Sequence, residues 1–267
     1  MNGAIRAGVG GWTFEPWRGV FYPAGLPHKQ ELAHAAQHLT SIEINGTYYR
    51  TQSPASFAKW RDETPEGFVF SVKAPRFATT RKVLAKAGES ITRFFDSGVA
   101  ELGDKLGPVN WQFMGFTKFD PEDFEAFLAL LPKQAQGLAL RHVVEVRHES
   151  FACAAFVALA RKYEVAVVLA ADSEYPMIAD VTAPFVYARL MGTTASEKAG
   201  YGKADLDRWA ARAKTWAAGG VPDDLPLLAK SPKKAARDVF LYVISGEKVK
   251  NPAAAMALIE RLSAAPR

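Results

Sequence analysis

Glu43-Ile44-Asn45, Ser71-Val72-Lys73, Asn110-Trp111-Gln112 and Glu145-Val146-Arg147 each set two polar residues around one apolar residue. In an extended strand that spacing puts both polar side chains on one face and the apolar one on the other. Asp172 ends the apolar run Val165–Ala171, and Arg189 shares its parity with Tyr187 and Met191. The chemistry these types could perform is proton transfer and anion binding. Glu43 and Glu145 are candidates for general acid and base, His148 is a third titratable candidate, and Asp172 is placed to orient His148 or Arg189. Lys73 offers a point charge, and Arg147 and Arg189 offer planar forks, for a phosphate or carboxylate. Asn45 and Gln112 add neutral hydrogen-bonding groups, while Trp12 and Tyr48 add aromatic surface.

A charge held inside a fold without a partner costs several kcal/mol, so these groups must be satisfied. Two arrangements would do it. In one, Glu43, Glu145 and Asp172 neutralise Lys73, Arg147 and Arg189 in an internal network that needs no ligand. In the other, Glu43, Asn45, Lys73, Glu145, Arg147, Asp172 and Arg189 converge on one ligand cavity. Contributions from six strands to the same end favour the cavity.

The positioning elements are short β-type runs separated by helical stretches. Strands are expected at Ile5–Gly10, Ser41–Asn45, Phe68–Lys73, Val109–Phe113, His142–Arg147, Val165–Ala171, Phe185–Met191 and Asp238–Ile244. Helices are expected at Leu32–Leu39, Ser53–Trp60, Ile91–Leu102, Pro121–Leu131, Phe151–Tyr163, Ala204–Trp216 and Asn251–Leu262. This alternation calls for parallel strands with crossover helices. Eight units, with no Gly-x-Gly-x-x-Gly turn after the first strand, predict an α/β fold: a TIM-type (β/α)8 barrel filling residues 1–267 as a single domain. In such barrels the reactive groups sit at the C-terminal ends of the strands, where the polar residues fall here. The first β/α loop, Gly10 to Pro23, is rich in glycine and aromatics. It either lines a pocket or caps the mouth, and Trp12, Trp17, Tyr48 and Tyr49 face the same choice.

Of the 267 residues, 49% are hydrophobic and 23% charged, which excludes a disordered chain. The single cysteine, Cys153, excludes internal disulfides and cysteine-based metal clusters; its alanine neighbours predict a buried helical thiol in a reducing compartment. No signal-peptide core and no membrane-length apolar stretch is present, so a cytoplasmic protein with no membrane partner is expected. Net charge +5 favours anionic partners: a small anion foremost, nucleic acid as the alternative; the sequence identifies no protein partner. Of the five histidines, His34 and His38 lie one helical turn apart, a spacing more common on a solvated helix face than in a metal site. No metal and no cofactor is expected, and no Gly-x-Ser-x-Gly, P-loop or His-Glu-x-x-His motif appears.

Ordered motifs run through nearly the whole chain: Gly11-Trp12, Trp17-Arg18-Gly19-x-Phe21-Tyr22-Pro23, Glu43-Ile44-Asn45-x-Thr47-Tyr48-Tyr49, Trp60, Thr64-Pro65-x-x-Phe68-x-Phe70-x-x-Lys73, Leu106-Gly107-Pro108, Glu145-x-Arg147-His148-x-Ser150, Ala171-Asp172-Ser173 and Tyr187-x-Arg189-Leu190-x-Gly192. In these the chain resembles the family called domain of unknown function 72, or YecE-like. The resemblance implies a TIM-type barrel whose activity is unassigned, with Glu43, Asn45, Lys73, Glu145, Arg147, His148, Asp172 and Arg189 at motif-matching polar positions. The chain departs from the family pattern at Gln112-Phe113-Met114-Gly115-Phe116, at Met191 and at Ile244-Ser245.

The functional expectation is an enzyme acting on a small anionic or sugar-like substrate by metal-independent acid/base chemistry at the C-terminal face. The alternative is a non-catalytic or nuclease-like barrel that binds nucleic acid or phosphate. The nuclease comparison rests on architecture alone.

Overall fold

The computed structural model describes residues 2–263. Met1 and residues 264–267, which the expected domain of 1–267 includes, lie outside the described residues. The barrel strands are β1 (Ile5–Gly10), β2 (Ser41–Ile44), β3 (Val69–Lys73), β4 (Leu106–Gln112), β5 (His142–Glu145), β6 (Ala166–Ala171), β7 (Phe185–Leu190) and β8 (Asp238–Val243). They close into a parallel barrel in sequence order, with β8 pairing β1 from Ile5 opposite Val239 to Val9 opposite Val243. β6 reads Ala-Val-Val-Leu-Ala-Ala because a barrel strand is covered on both faces, by the interior and by helices.

The main helices are α1 (Glu31–His38), α2 (Gly46–Tyr49), α3 (Pro54–Asp62), α4 (Arg76–Thr79), α5 (Gly88–Asp96), α6 (Pro121–Ala129), α7 (Ala154–Lys162), α8 (Lys203–Ala217) and α9 (Asn251–Ser263). Local chemistry fixes several starts. Ser53 Oγ accepts from the Ser56 amide at the head of α3, and Asp120 Oδ1 accepts from the Glu122 and Asp123 amides at the head of α6. Proline follows each cap, at a position whose amide needs no partner.

Two apolar layers result. The larger lies between strands and helices and holds Trp111, Phe113, Phe124, Phe127 and Trp216. The smaller fills the barrel itself with Val69, Val143, Ala166, Val168, Phe185, Tyr187, Phe240 and Tyr242. Above this floor, Ser41 Oγ lies 2.7 Å from Tyr242 Oη and Ser71 Oγ lies 2.8 Å from Tyr187 Oη, both buried. The interior thus passes from apolar to hydroxyl to charged along the strands.

Three expectations are corrected. α5 stops at Asp96 rather than running to Leu102, because Gly98 takes φ +102° and a 3-10 segment kinked at Gly103 follows. β5 ends at Glu145, two residues before Arg147. α7 begins at Ala154, with Cys153 at its N-cap in extended conformation, so the thiol is half-buried rather than inside a helix. A small hairpin, Gln134–Ala135 with Leu138–Ala139, is too short to show an alternating pattern; Gln136 and Gly137, both at positive φ, turn it. No described helix is long and apolar enough to cross a membrane.

Candidate functional site

A cavity of about 530 Å³ opens at the C-terminal ends of β1, β2, β3 and β8. Gly11, at φ +72°, turns the chain out of β1 and delivers Trp12, Thr13 and Phe14 to the wall. Trp12 packs edge-on against Trp60, with ring centres 5.2 Å apart. Gly10 also lines the cavity, where an added Cβ would lie 2.8 Å from Asn45 Nδ2. Asn45, Tyr48, Tyr49, Gln52 and Ile244 complete much of the wall. The charged lining residues are Arg50, Lys73, Arg189 and Lys248, all cations.

The carboxylates lie beneath. Arg189 crosses the barrel, its Nη1 donating to Glu145 Oε2 at 2.7 Å and its Nη2 to Glu43 Oε1 at 3.0 Å. Tyr187 Oη donates to Glu43 Oε2 at 2.5 Å, and Asn110 Nδ2 lies 3.3 Å from a carboxylate oxygen of each glutamate. Arg147 approaches Glu145 Oε1 through Nε at 2.9 Å and Nη2 at 2.7 Å, and Nη2 also donates to Gln112 Oε1. Burial alone would push the Glu145 carboxyl up, but Arg189, Lys73 and Arg147 hold it down at about 2. Burial opposes the charge on Arg189 too, and the two glutamates outweigh it, raising its pKa. The Tyr187 hydroxyl is pushed well above its ordinary range, by burial first and by Glu43 second.

Two buried carboxylates therefore face three cations, and Lys73 is the one left over. Its side chain is almost wholly buried, yet its Nζ makes no hydrogen bond or ion pair among the described residues. Nζ lies 4.7 Å from the centre of the Tyr48 ring and points into the cavity. Burial, then the nearby Arg189 charge, lowers its pKa to about 8.

The profile of the family described as "Protein of unknown function DUF72" matches residues 6–267. The chain belongs to the DUF72 family. It is 27% identical over 150 residues to the UPF0759 protein YecE of Escherichia coli K12, an alignment covering 55% of this chain and 50% of that protein. The chain spans about half the length of the curated relatives it matches. A DUF72 family protein of Enterococcus faecalis V583 superimposes with TM-score 0.71 at 16% identity, covering 98% of this chain and 97% of that one. A second, from Thermotoga maritima MSB8, gives TM-score 0.68 at 22% identity over 96% and 97%. At these identities the structural likeness establishes the barrel and leaves the chemistry to the site.

In this DUF72 chain Trp12, Asn45, Tyr48, Lys73 and Arg189 line the cavity. Glu43 and Glu145 stand inward as parity requires, but both are fully buried and engaged by Arg189, Tyr187, Asn110 and Arg147, so neither faces the cavity as a general acid or base. Gln112 and Arg147 belong to the supporting layer, with the Arg147 guanidinium 4.4 Å from the centre of the Tyr175 ring. Asp172 does not converge with the others. At φ +54° it turns away and accepts from Tyr201 Oη at 3.0 Å in a separate pocket lined by Trp209, Arg208 and Arg212, and it orients neither His148 nor Arg189. His148 caps the turn Glu149–Phe151, its Nδ1 accepting from the Ser150 amide, a structural task.

The aromatic loop divides its work. Trp12 and Phe14 line the cavity, while Trp17 is fully buried and donates its indole N–H to the Lys248 carbonyl. His34 and His38 stack on one another at 4.5 Å, and among the described residues no three His, Cys, Asp or Glu side chains assemble as a metal site would require. Arg50 and Lys248 were missed. Both follow the C-terminal end of a barrel strand, after β2 and β8, which is the signal that would have found them.

Proposed function

We propose that the barrel mouth binds a small anionic or sugar-like substrate and transforms it by acid/base chemistry of the chain's own side chains. The observation that carries this reading is the uniform sign of the lining: Arg50, Lys73, Arg189 and Lys248, with the carboxylates consumed underneath. The volume suits a metabolite-sized molecule, and the Trp12, Trp60 and Tyr48 faces supply apolar surface for a carbon skeleton or ring. With a pKa of about 8, Lys73 can give or take a proton near neutrality.

Phosphate, sulfate and citrate, compared with chloride at matched ionic strength, test the reading by thermal melting. A ligand that binds only the folded state raises Tm, and the rise grows with ligand concentration above Kd. Arg50 and Lys248 lie at the cavity and outside the buried network, so Arg50→Met with Lys248→Met is the discriminating variant. The wild type should be stabilised by the multivalent anions and the double variant should lose that response. An equal response in both proteins would mean general salt exclusion and end the anion-site reading. Tight, salt-sensitive binding of a DNA oligonucleotide abolished by the same variant would instead favour nucleic acid.

A further inference from the structure

Among the described residues, the cations packed around the buried carboxylates are matched to acceptors with one exception. Arg189 has Glu43 and Glu145, Arg147 has Glu145 and Gln112, and Lys105, elsewhere in the fold, has the carbonyls of Arg61 and Thr64. Lys73 alone among these has an amine with no protein acceptor, at the last residue of β3, where the otherwise buried side chain lines the cavity. A structural lysine would find an acceptor, since an unpaired buried ammonium is costly. An amine in an apolar pocket beside a second cation is the arrangement that activates lysine as a nucleophile. Here the second cation is Arg189, and Tyr48, Trp12, Trp60 and Ile244 supply apolar wall in a cavity that Asn45, Gln52, Arg50 and Lys248 also line.

We propose that Lys73 forms an imine with the carbonyl carbon of a small anionic aldehyde or ketone bound in the barrel mouth. This inference rests on the anion-site reading and names its substrate class. The anionic group of the ligand falls to Arg50 and Lys248, leaving Lys73 to the carbonyl. The neutral amine attacks the carbonyl carbon, a C–N bond forms, and the C=O π pair moves to oxygen. The carbinolamine then loses water to give the protonated imine. Overall the ammonium form of Lys73 gives up two protons, which leave with the carbonyl oxygen as water, so no redox partner is needed. The lowered amine pKa supports this step by keeping a large fraction of Lys73 neutral near pH 7.5.

The experiment is reductive trapping of the wild-type protein with glyoxylate, a small anionic aldehyde, and sodium cyanoborohydride at pH 7.5, followed by peptide mapping. At pH 7.5 an amine with a pKa of about 8 carries roughly 200-fold more of the reactive neutral form than a model lysine side chain with a pKa near 10.4. Modification of Lys73 at least about 10-fold faster than of Lys29, Lys198 or Lys203 is expected, and inorganic phosphate should slow it at Lys73 alone. Labelling of Lys73 no faster than of those exposed lysines overturns the imine proposal. In that case the melting response lost in the Arg50→Met and Lys248→Met variant still decides the anion site separately. Fast labelling that phosphate does not slow overturns the part of the proposal that joins the amine to the anion site.

Discussion

Arg189 on β7 reaches across the barrel to Glu145 on β5, Nη1 donating to Oε2 at 2.7 Å with both side chains almost wholly buried. A pair of this kind adds little over a well-packed apolar one, but removing a single partner strands the other charge. Glu145→Gln should therefore destabilise the protein by about 3–5 kcal/mol, because Arg189 and Arg147 would both lose a carboxylate. Urea denaturation at pH 7 measures this. A loss below about 1 kcal/mol would mean that water or Glu43 compensates and that the network is not what holds these strands.

The acid limb of stability should come in two steps. His142 is buried with Nδ1 accepting from Trp111 Nε1 at 3.1 Å, which leaves Nε2 to donate to the Pro132 carbonyl at 2.7 Å. Burial lowers its pKa to about 4, below the unfolded value of roughly 6.5, so the folded state binds fewer protons across that window. Stability should fall as pH drops from about 6.5 to 4. Glu145, held at about 2 against roughly 4.3 unfolded, contributes fully above the latter value and is lost as pH falls through the former. His142→Phe should erase the upper step while costing about 1–3 kcal/mol at neutral pH for the orphaned Trp111 and Pro132 groups. Denaturation midpoints across pH 2–8 decide this, and a wild type whose stability is flat between pH 6.5 and 4.5 would rule out the His142 account.

Parity along the strands revealed the barrel and most of its polar interior, because a period of two leaves little freedom once one face is apolar. Glu43, Asn45, Ser71, Lys73, Asn110 and Glu145 stand where alternation puts them. Which of them meets solvent was not legible. That depends on partners from distant strands, such as Tyr187 closing on Glu43 and Arg189 joining Glu43 to Glu145, and no local pattern encodes those pairings. Asp172 was misplaced because its left-handed backbone ends the alternation one residue past β6. His148 was misplaced because a short turn used its ring as a cap.

Cys153 occupies the N-cap of α7 at φ −145° and ψ 154° without a side-chain hydrogen bond to the first turn. Serine is among the best residues there, since its hydroxyl accepts from an otherwise unpaired amide. Cys153→Ser should stabilise the protein by about 0.5–1 kcal/mol, read as a higher urea midpoint with unchanged slope. A destabilisation would show that the half-buried sulfur matters more for packing than the cap does.

The Lys73 amine makes stability depend on alkaline pH, with a sign set by linkage. Its folded pKa of about 8 lies below the unfolded value of roughly 10.4, so between the two the unfolded state binds more protons and stability rises with pH. Below pH 8 the buried ammonium is a standing cost, and a shift of this size corresponds to about 3 kcal/mol as an upper bound. Lys73→Met roughly keeps the volume and removes the charge. The variant should thus be more stable than the wild type at pH 7, by roughly 1–3 kcal/mol, and should lack the rise between pH 8 and 10. It should also lose glyoxylate trapping at position 73. Stabilisation on removing an interior charge is the signature of a group kept for chemistry at a cost to the fold. A variant less stable than the wild type at pH 7, with the same pH profile, would mean that the amine has a structural partner after all, and the functional role assigned to Lys73 would fall with it.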